Sequence, residues 1–253
     1  MMQHAERIDL GTGFSRHFRI DTALDSALLD EVYRIRHEVY CEDLHFESER
    51  ADHRETDSHD AHSVHCLLRT RQPPMQPVGC TRLILTDPNH PDAPLPFEQV
   101  CSATLDRARL DPAHLPRTRI AEISRLAVCA RFRRRKGEDR SAVAVRASDF
   151  AHCGDLPRFP YIPTSLLLGA VALAEHYAID TVFVLTEPRL AQHFRKLGVE
   201  VRQIGTPIWH HGLRIPSVMQ VEEILRNMRR MLHPMWQVVR AQIGAGFSSG
   251  PSD

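Results

Sequence analysis

Three charged side chains stand where their neighbours call for apolar ones. The stretch "RIRHEVYCEDLHFE" (34–47) begins as the end of an amphipathic helix, with Leu24, Leu28, Leu29, Val32, Ile35 and Val39 at helical spacing. With Val32 at zero and a turn of about 100° per residue, Arg36 falls at about 40°, inside the apolar stripe. In "VGCTRLIL" (78–85) Arg82 shares a strand face with Val78, Cys80 and Ile84. In "RIAEISRLAV" (119–128) alternation puts Ile120, Glu122, Ser124, Leu126 and Val128 on one face, with Ala121, Ile123, Arg125 and Ala127 on the other. Stripping a charge of water costs several kcal/mol unless a partner replaces the hydration, so the expectation is that Arg36, Arg82 and Glu122 meet. A carboxylate in such a semi-apolar setting has its pKa raised toward the range of a general base. The plainer alternatives are a partly wet strand face and a structural ion pair. The acid-rich stretch 42–60 and Glu122 supply candidate counter-ions for Arg36.

These residues need a scaffold, and 253 residues with 42% hydrophobic and 25% charged content suffice for one large domain or two small ones. A formal net charge of zero argues against general nucleic-acid binding. It conceals a local asymmetry between the acidic residues 42–60 and the basic run "RFRRRK" (131–136), which reads as solvated surface or as a docking face. The apolar run "SLLLGAVALA" (165–174) is about half a membrane span, and the N-terminus has no signal-peptide core. The six cysteines are scattered without a C-x-x-C pair, as in a reduced, cytoplasmic protein. His62 and His65, three apart on a strand, face opposite ways, and no metal site is expected.

Along the chain the pattern gives a helix over 24–40 and strands over 62–70, 78–85 and 118–129, with a proline-rich excursion over 86–117 that holds a short helix near "FEQVCSATL". A helix from "IPTSLLLGAVALAEHYAI" carries Gly169, Ala170, Ala172 and Ala174 for close packing on a sheet. The strand "TVFVLTEP", a helix ended by Gly198, the strand "VEVRQIG" and a final strand or hairpin in "PIWHHGLRIPSVMQV" follow. This order predicts an α/β (α+β) domain around a mixed sheet. The expected division is an extension over 1–23, a domain over 24–220, an amphipathic helix over 221–243 kinked at Pro234, and a disordered tail over 244–253. The C-terminal helix is a candidate for peripheral membrane contact.

At these residues the chain resembles the acyltransferase family of acyl-homoserine-lactone (autoinducer) synthases and long-chain N-acyl amino acid synthases, and within it the branch associated with PEP-CTERM/exosortase systems. The resemblance is carried by "YRIRHEVYCEDLHFE", "ETDSHD" (55–60), "GCTRLIL", "AEISRLAV" followed by "RFRRR", and "IGTPIWHHGLRIP", in that order over roughly residues 24–218. It implies a GNAT-type fold, a mixed central sheet flanked by helices. It further implies a polar constellation of Arg36, Asp57, Asp60, Arg82, Glu122, Ser124 and Arg125, in which Asp57 or Asp60, then Glu122, is the expected counter-ion of Arg36. Phe46 stands where autoinducer synthases usually have tryptophan, which weakens a homoserine-lactone assignment. "RFRRRKGED" replaces the glycine-rich pyrophosphate loop of acetyl-CoA-dependent relatives, which favours a carrier-protein donor.

The resulting expectation is N-acyl transfer with no bound cofactor. A long-chain acyl-phosphopantetheine thioester (acyl-ACP or acyl-CoA) is the co-substrate, and an amino acid or similar small amine is the acceptor. Glu122 and Ser124 take the catalytic role. Arg36, Phe46, Asp57, Asp60, Arg82 and Arg125 bind substrate, and Arg131, Arg133, Arg134, Arg135 and Lys136 dock an acyl carrier protein. An autoinducer synthase and a non-catalytic lipid- or carrier-binding module are the alternatives.

Overall fold

A computed structural model describes residues 9–133, 152–153, 156–157 and 159–248. Helix α1 (Leu10–His17) leads into β1 (Phe18–Ala23), and α2 (Ser26–Arg36) starts at Asp25, whose carboxylate accepts the Leu28 N–H at 2.8 Å. Strands β2 (Ser63–Thr70), β3 (Pro77–Leu85) and β4 (Ile120–Val128) follow, with the short α3 (Pro96–Val100) inside the 86–117 excursion. A two-stranded ribbon pairs β5 (His152–Cys153) with β6 (Leu156–Pro157). Then come α4 (Tyr161–His176), β7 (Thr181–Thr186), α5 (Pro188–Lys196), β8 (Arg202–Gln203), β9 (Ile208–Trp209), β10 (Leu213–Gln220), α6 (Val221–Asn227) and α7 (His233–Ser248).

The main sheet has eight strands in the order β1-β2-β3-β4-β7-β10-β8, with β9 paired to β10. Every pairing is antiparallel except β4 with β7, the junction that the α4 crossover makes parallel. This is the mixed sheet flanked by helices expected from the sequence. The principal core lies where α4, α7 and α1 cover the sheet; from Thr164 to Ala174, α4 is buried all round. Gly169 permits that approach, since a Cβ there would stand 2.6 Å from Ile20 Cδ1 and 3.0 Å from Cys66 Sγ. Gly198, at φ +91°, ends the α5 region as its place in the sequence predicts. A smaller apolar cluster on the other face joins Ile84, Phe97, Ile120, Phe183 and Val218.

Several elements depart from the sequence reading. Leu24 precedes the Asp25 cap and is exposed, and the helix widens after Arg36 into a π-helical segment, His37–Asp43. The expected extension over 1–23 supplies α1 and the edge strand β1, which pairs with β2 along Phe18–Ala23. The single kinked C-terminal helix is two helices. Proline has no N–H and tolerates only the first turn, so α7 begins at His233 and Pro234 sits at its start. The expected disordered tail is helical as far as Ser248, held where Thr22 Oγ1 donates to Ile243 O at 2.9 Å and Phe247 stacks on His176 at 3.6 Å. Met235, Val239 and Ile243 of α7 are buried in the protein, so its apolar stripe faces the core rather than a membrane. Among the described residues no helix is long and apolar enough to cross a membrane.

The sheet register beside Arg82 depends on Gly79, where an added Cβ would lie 2.5 Å from Ala127 O of the neighbouring strand. Gly79→Ala is expected to force β3 and β4 apart and to cost about 2 kcal/mol. Urea unfolding of the two proteins measures it, and an unchanged midpoint would contradict this strand packing.

Candidate functional site

Arg36 is fully buried, and its partners come from the loop between α2 and β2. Its Nε donates to Glu55 Oε2 at 2.5 Å and its Nη1 to Asp60 Oδ1 at 2.6 Å, while Nη2 stands 3.9 Å from Asp57 Oδ2. The counter-ion expected at Asp60 is therefore present, but the closest carboxylate is Glu55, and Glu122 is not a partner. Arg82 Nη1 donates to Asp57 Oδ1 and to Asp60 Oδ1, both at 2.7 Å, and its Nε to Ser124 Oγ at 3.0 Å. The loop holds its own shape through Asp60 Oδ2, which accepts the Asp57 N–H at 2.8 Å, and through Asp57 Oδ1, which accepts the His59 N–H at 2.9 Å.

Arg125 completes the network against the expectation from alternation. β3 pairs Arg82 with Ser124 and Cys80 with Ala127, so one residue of β3 faces two of β4. Arg125 occupies this bulge at φ +49°, and the extra residue turns its side chain to the Glu55 side. Its Nη2 donates to Glu55 Oε1 at 2.9 Å and to Asp57 Oδ2 at 3.2 Å, and the guanidinium lies 5.3 Å from the Tyr40 ring centroid.

Three arginines thus balance three carboxylates, and the proton affinities follow. Burial would raise Glu55, Asp57 and Asp60, but hydrogen bonds and charge from Arg125, Arg36 and Arg82 outweigh it and hold all three below the usual carboxylate range. Burial would lower Arg36, and its bonds to Glu55 and Asp60 raise it instead. His65, packed edge-on against Tyr33, is pushed down to about 3 by burial and by the charge of Arg36, so it is a neutral member of the cluster.

Glu122 has a different environment. It is buried, has no ion-pair partner among the described residues, and accepts the Phe97 N–H at 2.8 Å through Oε2. Burial raises its carboxyl to about 7, against the lowering effects of that amide and of Arg82 and Arg125. Glu122 is among the residues that line a cleft created by the parallel strands. β4 and β7 pair only from Ile120 to Ile123 and from Thr181 to Val184, then separate. Ser124, Arg125 and Leu126 line one wall of the gap and Leu185, Thr186 and Glu187 the other. Leu167, Leu190, Phe194 and Met219 make its interior apolar, and Phe46, His210, His211 and Arg214 stand at its polar rim. Phe46 stacks on His211 at 4.8 Å, and Arg214 pairs with Glu187 at 2.8 Å. Burial, then His211, Arg214 and Arg125, lower His210.

Glu55, His210, His211, Arg214 and Glu187 were not legible as site residues. The motif strings "ETDSHD" and "WHHGLR" contain most of them, but nothing in a string says which member turns inward. Two members of the basic run, Arg131 and Arg133, lie among the described residues. Arg133 pairs with Asp43, and Arg131 donates to Pro77 O at 2.7 Å and packs on Phe132. Arg134, Arg135 and Lys136 lie outside the described residues.

Ligand atoms of His37, Glu42 and His53 lie within 4.8 Å of one another. However, His37 Nε2 accepts the Arg50 N–H at 3.0 Å, which puts the imidazole proton on Nδ1, 3.0 Å from Glu42 Oε1. A cation on Nδ1 would need that proton on Nε2, facing another N–H. The trio fits a hydrogen-bonded tie for the loop better than a metal site.

Residues 35–142 match the family model described as an acetyltransferase (GNAT) domain. Among solved structures the chain is similar to the AHL synthase LasI, at 20% identity and a TM-score of 0.54 over 81% of this chain and 89% of that one. It is similar to BjaI, a CoA-dependent acyl-homoserine lactone synthase, at 22% identity and a TM-score of 0.53 over 90% of each chain. It is also similar to FeeM, an N-acyl amino acid synthase from uncultured soil microbes, at 14% identity and a TM-score of 0.52 over 83% of this chain and 94% of that one. At these identities the likeness establishes a shared fold. No curated protein sequence matches the chain.

Arg36→Ala would leave Glu55 and Asp60 buried beside an empty space, and a loss of about 3 kcal/mol is expected in urea unfolding. The sign of the pH dependence follows from the lowered carboxyls. Their stabilisation is complete above their unfolded values near 4 and is lost as pH falls through the folded values. Stability of the parent should therefore decline steeply below about pH 4. The Arg36→Ala protein should show a shallower acid decline, and parallel pH profiles would refute the assigned pairing.

Proposed function

We propose that the protein is an N-acyltransferase that moves a long-chain fatty acyl group from a phosphopantetheine thioester to the amine of an amino acid or similar small acceptor. The observation that carries this reading is the parting of β4 from β7 over a buried, unpaired carboxylate. The open strands offer backbone groups to an extended pantetheine arm, the apolar interior suits an acyl chain, and Glu122 is positioned as a base. The GNAT family match over 35–142 and the likeness in fold to LasI, BjaI and FeeM support acyl transfer as the chemistry.

In the proposed reaction Glu122, directly or through one water, takes a proton from the acceptor ammonium, which must become neutral to attack. The amine nitrogen bonds to the thioester carbonyl carbon. The oxyanion that develops is stabilised by N–H groups of β4 left unpaired where the strands separate. Collapse breaks the C–S bond, the acyl group stays on nitrogen as an amide, and the thiolate departs and recovers a proton. Attack is direct, without an acyl-enzyme. Cys41, Cys66, Cys80, Cys101 and Cys129 are buried, and burial pushes each of these thiols up, away from nucleophilic thiolate.

Arg125 is the arginine best suited to the acceptor's carboxylate, which it would bind alongside Glu55 and Asp57, because it lines the cleft and remains partly exposed, whereas Arg36 and Arg82 are sealed by the loop. The donor in this reading is an acyl carrier protein in the cytoplasm, and the motif resemblance supports membership of the PEP-CTERM/exosortase-associated branch. Autoinducer synthesis is the competing reading, since LasI and BjaI are named for it.

The decisive experiment offers acyl carriers of several chain lengths, with amino acids, their decarboxylated amines and S-adenosylmethionine as competing acceptors, and identifies products by mass spectrometry. An open-chain N-acyl amino acid with a long acyl group is expected, each buried methylene favouring the longer donor by about 0.8 kcal/mol. A homoserine lactone as the product, or preference for acetyl donors or simple amines, would overturn the reading. For the base, kcat/KM should fall as pH drops below about 7, where Glu122 binds a proton. Glu122→Gln should lose turnover by about 100-fold or more while melting no lower than the parent, because it deletes a base and keeps the shape. Parental turnover in Glu122→Gln would exclude Glu122 from proton transfer.

A further inference from the structure

The 86–117 excursion has no part in the reaction as described, yet one of its backbone amides holds Glu122. That amide belongs to Phe97, in the first turn of α3. The turn is itself fixed by a second buried carboxylate. Glu98 Oε2 accepts the Leu95 N–H at 2.7 Å and pairs with Arg117 Nη2 at 3.0 Å. Arg117 reaches across the excursion, donating from Nη2 to Ala93 O at 2.6 Å and from Nε to Pro91 O at 3.1 Å. Both ends of the 86–117 segment are thereby tied to the turn that carries the Phe97 amide. The side chains of Glu98 and Arg117 are 8% and 12% exposed, so their charges act through a poorly solvated region.

We infer that Glu98 and Arg117 form a positioning pair for Glu122, fixing the amide that orients its carboxylate and setting the charge against which it holds its proton. The inference rests on Glu122 acting as the base. The charges that act on Glu122 include Arg82 of β3, Arg125 of β4 and Glu98 of the excursion, and Glu122 in turn acts on Cys101 of the excursion. Arg82 and Arg125 are neutralised by Asp57, Asp60 and Glu55. Glu98 opposes ionisation of Glu122, and Arg117 is the charge that cancels Glu98. Removing one or the other should move Glu122 in opposite directions. A merely structural tie would move it the same way in both variants, or not at all.

The test compares the parent with Glu98→Gln, Arg117→Gln and the double variant. Glutamine at 98 keeps an oxygen for the Leu95 N–H, so it removes charge and little else. Two measurements are made on each protein: the acidic limb of kcat/KM against pH, and titration of the Glu122 carboxyl by infrared difference against the matching Glu122→Gln protein. The second needs no turnover. Glu98→Gln is expected to shift the carboxyl titration down by about half a pH unit or more, and Arg117→Gln to shift it up by a similar amount, with the double variant close to the parent. The rate limb should follow. If the carboxyl moves in opposite directions while the rate limb does not, the pair acts on Glu122 as inferred and Glu122 is not the base. If the carboxyl moves in one direction in both single variants, or in neither, the inference is overturned whatever the rates do. Melting curves accompany each variant, and where Arg117→Gln is unfolded, Arg117→Lys, which keeps the charge, should restore the fold with a titration close to the parent's.

Discussion

Burying the Arg36 guanidinium constrains the rest of the site more than any other single feature. A cation with no exposed surface must replace its hydration from inside the protein, and neither α2 nor β3 offers an acid at that point. The chain supplies acids by folding the 44–62 segment back over the helix. That segment contains no strand and only one short 3₁₀ turn, Ser58–His62, so its course depends on side-chain bonds. Glu55 and Asp60 fasten it to Arg36, Asp57 and Asp60 fasten it to Arg82, and Arg125 binds it from the strand side. Each ion loses several kcal/mol on burial, so the net stabilisation is far smaller than the number of bonds suggests. The network chiefly fixes position: one helix, two strands and a loop are locked to one another at the edge of the cleft.

The bulge at Arg125 links this lock to the opening in the sheet. One extra residue in β4 turns Arg125 toward Glu55 and bends the strand. From the same point β4 no longer follows β7. The backbone irregularity that completes the charge balance therefore lies where the sheet parts, and the left-handed backbone at a non-glycine residue is tolerated because four hydrogen bonds to Glu55 and Asp57 hold its side chain.

Charge balance also explains why Glu122 differs from the other acids nearby. Arg82 and Arg125 are committed to Glu55, Asp57 and Asp60 and favour the Glu122 carboxylate only from a distance, and a single amide at 2.8 Å is a weaker substitute for a paired guanidinium. Its raised proton affinity, about 7 against the depressed values of the loop acids, follows from which carboxylate meets a guanidinium and which does not. Acids held apart in this way can take separate roles within a small volume, some fixed as anions and one free to exchange a proton near neutral pH.

Local pattern was enough for the elements and for much of the site. Hydrophobic period marked α2, β2, β3, β4, α4 and β7, and it exposed Arg36, Arg82 and Glu122 as charges in apolar rows, because burial of one face is imposed residue by residue along the chain. Gly198 and the small residues of α4 were legible for the same reason: backbone conformation and close packing select the residue at that position. Tertiary structure alone decided the rest. Alternation carries no mark of where an extra residue enters a strand, so Arg125 was read onto the wrong face. Among eight acids between 42 and 60, only the path of the loop selects Glu55 as the nearest partner of Arg36. Residues 10–23 gave no sign of belonging to the sheet, because the edge strand β1 is defined by its partner β2, more than forty residues away. Pro234 was visible, but whether it bends a helix or begins one depends on what the preceding turn packs against. In each case a residue's own preference is satisfied in more than one way, and contacts from distant parts of the chain select among them.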